Sequence, residues 1–494
     1  MRITNILRRL FKLGRIAVSV LFNFKLTGPV RLRIFFERAG EAFLKLGQFL
    51  SLRYDFLSLY YLSELLEISN QTPEEPFSNI QDVFVKETGK TVGKFFSEFS
   101  NEPIAIGVTS QIYQARLKND SKVAVKIQRS DIRELFEIDF SLIYFLAGLF
   151  DFFRLFSGVR LAEIATEFVN FVTNELDFTY EAKNAVVLYE HSKEHPRTII
   201  PKQYLEITTP RVLVQEFIEG GILLEDILLK KKKADFDDMT EYLIKDHLRQ
   251  YFIDGFFHLN PNPANLIFGP DNKLIYLDFG IVGEAKEDRL LLLKSFYGLA
   301  KNDIDFLSEN FFEFNQKTFN ENVKFFLQVD LTKRRVTEKI IEKIKELILF
   351  DFKKDIREIM TDKSFPLILK KLGKVAEKYG AILPREITLF FCTLSFLNTI
   401  TLRISPTFDI IKALNSFFED YPLEKAEVLI KEGLHKKEAG EKIIPLTNPD
   451  WEFFREVSAL EKEKRDIIKE KMLEIVFYYA EKYEEIKSLL KTIK

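Results

Sequence analysis

Residues 255–280 read GFFHLNPNPANLIFGPDNKLIYLDFG. Two short polar clusters stand on either side of an apolar run. The first, His258-Leu259-Asn260-Pro261-Asn262-Pro263-Ala264-Asn265, holds two prolines, which neither extend a helix nor donate to a sheet. It reads as a loop. Phe268-Gly269-Pro270-Asp271-Asn272 has the composition of a hairpin turn, and Leu274-Ile275-Tyr276-Leu277 that of a short buried strand. The strand delivers Asp278-Phe279-Gly280, so a carboxylate stands at a strand end.

A catalytic loop, a hairpin and a metal-binding Asp at a strand end are what a protein-kinase-like centre needs. The spacing agrees. Asn265 follows position 260 by five residues (265 − 260) and Asp278 follows it by eighteen (278 − 260), as do the metal-ligand Asn and Asp of that pattern. One position departs: where the catalytic Asp belongs, the chain has Asn260. An Asp-Phe-Gly tripeptide by itself is most often a strand end before a turn. Its combination with His-x-Asn-x-x-x-x-Asn and an apolar hairpin is far more specific.

Upstream, Val92–Phe99 has helical spacing, and Pro103 to Leu117 alternates as strand, small-residue turn and strand. After a turn at Asn119-Asp120-Ser121 comes Lys122-Val123-Ala124-Val125-Lys126-Ile127. Val-Ala-Val-Lys after a hairpin is the kinase pattern in which Ala124 roofs an adenine and Lys126 reaches the phosphates. Lys126 then needs a carboxylate. Val169 to Tyr189 reads as helix and contains Glu175, Asp177 and Glu181, with Asp177 and Glu181 on one face and Glu175 well round from Glu181. Taken alone, such charges are usually a solvated face. Arg211 to Gly220 is an apolar strand ending in acidic residues, with Glu216 and Ile218 at the position of an adenine-binding hinge. Asp237 to Gly255 reads as an amphipathic helix. After Gly280 helical periodicity resumes at Arg289, which leaves no room for the long activation segment and Ala-Pro-Glu anchor that dock a peptide.

The chain has 494 residues, 46% hydrophobic and 30% charged, with net charge −2, enough for two or three domains' worth of core. One cysteine, Cys392, excludes a disulfide framework and a cysteine metal site. No run is long and apolar enough to span a bilayer; Phe140–Phe150 and Ile387–Leu402 read as buried helices. No small-residue cleavage site follows Ile16–Phe22, so no signal peptide is expected. Residues 1–40 carry nine basic side chains against one acidic, interleaved with Ile6, Leu7, Leu10, Phe11 and Leu13. That pattern fits adhesion to an anionic membrane surface, or a helix packed on the domain by its apolar side.

Together these residues resemble the UbiB/ADCK family of atypical kinase-like proteins, from about Glu41 to Asp409. The marks are Lys45-x-Gly-Gln48, the Pro103–Ala115 loop with Gln111, Val-Ala-Val-Lys126, Glu175-x-Asp177 with Glu181-Ala-x-Asn184, and GFFH followed by Asp-Phe-Gly. The resemblance implies an α+β, two-lobed protein-kinase-like fold: a helical extension over 1–90, an N-lobe over 91–222, a helical C-lobe over 223–430 and a charged helical tail over 431–494. It implies that Lys126 and Glu181 form an ion pair, that Asn265 and Asp278 hold Mg2+, and that Ala105, Ile106, Gly107 and Val108 cover ATP or ADP. The Lys45–Gln48 helix would lie across the site where a protein kinase binds its peptide, facing Glu175 and Asp177. Such proteins are associated with isoprenoid quinone and lipid metabolism at membranes. The expected partners are an isoprenoid lipid or quinone precursor, a membrane surface and proteins of a lipid-biosynthesis complex, with no nucleic acid. The expected location is cytoplasmic and peripheral at the membrane.

Three departures bear on activity. The family's His-x-Asp-Pro-His-Pro-Gly-Asn is here His-Leu-Asn260-Pro-Asn262-Pro-Ala264-Asn265, its alanine-rich loop has bulk at Ile106 and Val108, and C-terminal membrane spans are absent. Weak or no phosphotransfer is expected because an amide is a poor base. The alternatives are an active ATPase or small-molecule kinase, and a scaffold whose pocket is filled by side chains.

Overall fold

The computed structural model describes residues 2–21, 23, 25–51, 72–153, 161–230, 235–259, 261–286, 288–310, 334–359 and 385–438, with a few isolated positions. Asn260, and the charged tail beyond 438 save for two isolated positions, lie outside the described residues. The fold is α+β and kinase-like. By internal packing the chain divides into Met1–Glu225 with Asn262–Val282, and Asp226–Pro261 with Gly283–Lys494.

The first unit opens with helices α1 (Arg2–Leu21), α2 (Gly28–Ala39) and α3 (Glu41–Ser51). They share an apolar core with α5 (Ile132–Phe152) and α6 (Leu161–Glu175), built from Phe36, Phe43, Phe49, Phe136 and Phe168 among others. Gly47 makes this packing possible: a Cβ there would lie 2.4 Å from Ile68 Cδ1 and 3.0 Å from Phe36 Cδ2.

An antiparallel sheet follows, in the order β1 (Phe96–Ile106), β2 (Ser110–Leu117), β3 (Lys122–Gln128), β5 (Val212–Glu216). Alternation along β3 sorts its side chains. Val123, Val125 and Ile127 enter a core with Ile80, Val83 and Phe84 of α4 (Phe77–Thr88), which leaves Ala124 and Lys126 on the other face. Helical spacing at Val92–Phe99 holds only to Phe95, because Phe96 turns into that sheet core as the first residue of β1.

The predicted single helix over Val169–Tyr189 is two. α6 ends at Glu175, and α7 (Phe178–Ser192) starts after Asp177, whose carboxylate accepts from Thr179 N at 3.0 Å. A side chain that caps a helix cannot also lie on its lateral face, so the expected shared face of Asp177 and Glu181 does not exist.

A second sheet runs β4 (Thr198–Ile199), β8 (Leu274–Tyr276), β7 (Leu266–Phe268), β6 (Ile222–Leu223). The β7–β8 hairpin turns through Asp271 and Asn272, both at positive φ (55° and 54°). Because β4 and β6 are its partners, residues 262–282 group with the first unit, whereas a boundary near residue 222 would have assigned them to the second.

The second unit is helical. α8 (Asp237–Arg249) runs into a π-helical turn over Gln250–Asp254 that Gly255 closes in the left-handed region, φ 69°. α9 (Arg289–Ala300), α10 (Arg385–Ile404) and α11 (Ile410–Asp420) pack around Tyr251, Phe252, Phe296, Phe390 and Phe417. α10 is buried as its composition predicts, with Thr393, Asn398 and Thr401 inside as well. α5 departs from that expectation: within Phe140–Phe150, Phe145 is 60% and Phe150 37% exposed, and Phe152 just beyond is 80% exposed.

Candidate functional site

Lys126, on the open face of β3, directs its ammonium to Glu181 of α7, with Nζ 3.0 Å from Oε1 and 2.9 Å from Oε2. The same nitrogen lies 3.6 Å from Asp278 Oδ2 and 4.9 Å from the Phe178 ring centroid. The expected pair of Lys126 and Glu181 is therefore present, with the Asp-Phe-Gly carboxylate beside it. Burial opposes the charge on Lys126, but Glu181, Asp278 and Glu175 outweigh it, and its pKa is raised. Glu181 is pushed up to about 7, by burial first, then by Asp278 and Glu175 against the opposing pull of Lys126. Asp278 and Glu175 contribute to both shifts, whereas burial raises Glu181 and opposes the rise of Lys126. Carboxylates outnumber ammonium groups here, and surplus negative charge favours every bound proton.

The second sheet sets the turn that carries Asp278. Leu277 N donates to Asn265 O at 2.9 Å, one step beyond the Leu266–Tyr276 pair, which brings Asn265 and Asp278 to the same end of the hairpin. Asn262 accepts from Ala264 N through its side chain at 3.0 Å and caps the turn leading to Asn265. Asp278 Oδ1 accepts from Gly280 N at 2.9 Å. The Phe279 carbonyl accepts from Asn184 Nδ2 at 2.9 Å. Glu181 and Asn184 lie three apart on α7, so one helix fixes both Lys126 and the Asp-Phe-Gly turn.

Lys45 of α3 forms an ion pair with Glu175, where α6 ends. A Cβ on Gly280 would lie 3.4 Å from Asp278 Oδ1 and 3.7 Å from Glu175 Cγ, so both carboxyl-bearing side chains flank that glycine. Glu175 Oε2 is buried without a hydrogen-bond partner. Asp177, by contrast, is engaged as the α7 cap, accepting also from Thr179 Oγ1 at 2.7 Å. Gln48 stands one helical turn from Lys45 on α3, and its carbonyl accepts from Ser51 Oγ at 2.6 Å.

The loop after β1 differs from expectation. Ala105 and Ile106 pair with Ile112 and Gln111, and Gly107 N donates to Ser110 O at 2.8 Å. Val108 is buried in the helical core with α3 and α5, so its bulk does not stand over a phosphate. Glu216 pairs with Val123 at the end of β5, Phe217 N donates to Lys122 O at 3.1 Å, and Ile218 follows beyond that last bond.

Gln128 and Gln215 escaped the sequence reading. Gln128, fully buried at the end of β3, donates to Leu176 O at 2.6 Å and Pro210 O at 3.2 Å, and accepts from Arg133 and Arg211. It fixes the junction that holds Glu175. Gln215 donates to Leu277 O at 3.2 Å, just before Asp278. The available signal was an amide directly after an apolar residue near the end of each strand, Ile127-Gln128 in β3 and Val214-Gln215 in β5.

The donor set fits Mg2+ with a nucleotide. Mg2+ is held through one or two carboxylates plus substrate phosphates rather than by an all-protein cage, and no cage of three or more His, Cys, Asp or Glu occurs among the described residues. Asn265 and Asp278 would offer side-chain oxygens to such a cation, and the carboxylates Glu181, Asp278 and Glu175 around Lys126 would favour one. Among the described residues no helix is long and apolar enough to cross a membrane.

Residues 67–311 match the ABC1 atypical kinase-like domain. The chain is 29% identical over 392 residues to the Arabidopsis thaliana protein Activity of BC1 Complex Kinase 3, chloroplastic, covering 79% of this chain and 52% of that one. It is 28% identical over 407 residues to a probable protein kinase UbiB of Marinobacter nauticus, covering 80% and 70%. The chain thus spans about half the length of the first relative. The solved complex of Rv3197 with erythromycin from Mycobacterium tuberculosis shares the fold at TM-score 0.50 and 18% identity, over 77% of this chain and 92% of that one. With the Lys126–Glu181–Asp278 geometry and these matches, the chain belongs to the UbiB/ADCK family of atypical kinase-like proteins.

Proposed function

We propose that this protein binds ATP or ADP with Mg2+ and acts at a membrane surface in isoprenoid quinone or lipid biosynthesis, with phosphotransfer weak or absent. The observation that carries the nucleotide reading is Lys126 held between Glu181 and Asp278. Lys126 meets the phosphates, Asn265 and Asp278 hold the cation, and Ala124 with the Glu216–Ile218 backbone receives the adenine. Bound Mg2+ supplies charge neutralisation on the phosphates. Asn260 offers an amide where a base belongs, and a positioned base is worth roughly 10²–10⁴ in rate. The membrane and isoprenoid part rests on family resemblance.

Thermal shift of the pure protein with Mg-ATP is the test. A positive shift that Lys126→Ala and Asp278→Ala each remove is expected; wild-type shifts in both variants would sink the site assignment, and no shift in the wild type would leave the scaffold reading.

A second reading, an active ATPase or small-molecule kinase, is favoured by one observation: Glu175 Oε2 is a buried carboxylate oxygen without a partner, flanking Gly280. Phosphate release, with and without lipid or quinone precursors, separates the two. Turnover lost in Glu175→Gln with the thermal shift kept selects the active enzyme.

A further inference from the structure

α1 packs by one side and leaves the other open. Leu13 and Val20 are buried, and Arg9 binds Asp139 of α5 through two bonds of 2.6 Å, Nε to Oδ1 and Nη2 to Oδ2. These residues hold the helix on the first unit. The opposite stripe consists of Arg8, Phe11, Lys12, Arg15 and Val18, all exposed, with Phe11 at 75% and Val18 at 62%. Their spacing of three and four residues places them on one line along the helix. No Asp or Glu occurs between residues 2 and 21.

We propose that this outward stripe of α1 is a pre-folded docking face for a bilayer containing anionic phospholipid. The proposal rests on the membrane part of the function above and is independent of nucleotide binding. Cations and apolar groups interleaved on one exposed stripe call for a partner with both kinds of surface. Headgroup phosphates take Arg8, Lys12 and Arg15, and the acyl boundary takes Phe11 and Val18. A soluble polyanion would satisfy the first set and leave the second in water. Because the Arg9–Asp139 pair and the buried Leu13 and Val20 already fix the helix, docking needs no folding step. That separates this face from a disordered anchor that becomes helical on lipid. The exposed aromatics of α5 are a useful comparison. Phe145 and Phe152 are equally open, but that helix exposes Glu134 and Glu137.

Flotation of the full chain with phosphatidylcholine vesicles, with and without phosphatidylglycerol, tests this. Binding should require phosphatidylglycerol and weaken with salt. The triple variant Arg8→Gln, Lys12→Gln, Arg15→Gln should lower partitioning about a hundredfold at low salt, from roughly fivefold per basic residue. Phe11→Ser with Val18→Ser should weaken what binding survives at high salt, whereas Phe145→Ser with Phe152→Ser should leave partitioning unchanged. Helix content by circular dichroism should not rise when vesicles are added. The proposal is overturned by equal binding to neutral vesicles, by wild-type binding in the triple variant, by loss confined to the α5 variant, or by equal affinity for a DNA duplex. Mg-ATP thermal shifts run alongside: absence of a shift in the wild type would defeat the nucleotide reading and leave the vesicle result standing.

Discussion

Lys45 on α3 and Glu175 at the end of α6 are 130 residues apart and form an ion pair beside the Asp278-Phe279-Gly280 turn. Both side chains are largely buried, at 15% and 12% exposure. The pair joins the helical extension to the junction that presents Glu175, so it links the packing of α3 to the candidate site.

Breaking that pair from one side leaves the other charge buried, which costs more than the pair contributes. Lys45→Met is expected to destabilise by about 2–4 kcal/mol, a discount on the fully buried case because some solvent reaches the pair. The double variant Lys45→Met with Glu175→Gln should recover much of the loss. A double-mutant cycle in urea checks this. Additive losses would show that the two side chains do not depend on each other.

Gly47 should resist substitution for steric reasons. In Gly47→Ala the new methyl meets Ile68 and Phe36 inside ordinary contact distance. Overpacking of this kind typically costs about 1–3 kcal/mol, more than the helix propensity gained. Chemical denaturation measures it, and an unchanged or raised midpoint would mean that α3 shifts freely.

Asn260→Asp restores a carboxylate where the pattern expects one while changing almost no volume. Turnover in ATP hydrolysis or a lipid-dependent assay should rise by at least about tenfold, a low bar against the usual worth of a general base. Nucleotide affinity should change much less, because bound Mg2+ offsets the added charge. Unchanged turnover with binding intact would mean that catalysis does not use this position.

His247 should set part of the acid limit of stability. It is buried on α8, stacked on Phe390 at 5.5 Å, and its Nε2 has no hydrogen-bond partner. Burial, then the charge of His258, pulls its pKa down to about 3, with Asp246 opposing. The folded pKa lies below the unfolded value near 6.5, so the contribution is whole above about pH 6.5 and is lost as pH falls toward 3. The loss is of order 1 kcal/mol per pH unit in that window. His247→Phe keeps a ring against Phe390 and removes the titration. Its melting temperature should fall less between pH 6.5 and pH 4.5 than that of the wild type. Parallel profiles would assign the acid limit elsewhere.

What the sequence determined by itself was local and periodic. Alternation in Val-Ala-Val-Lys126 separates a core face from a site face, and the residue types around Phe268–Leu277 specify a hairpin that must end at Asp278. Those patterns encode which side of an element is buried, and a kinase-like order of such elements sufficed for the fold. They do not encode which distant residue is met. Tertiary structure alone decided that α6 and α7 separate at Leu176-Asp177, where Gln128 takes the Leu176 carbonyl and Asp177 becomes a cap. It decided that Val108 enters the helical core, and that 262–282 joins the first unit through β4 and β6. It also decided that α1 both packs and stays open, since a helix has two sides and periodicity alone cannot say whether the second is covered. In each case the deciding contact joins residues far apart in the chain, and such contacts leave no period in the sequence to read.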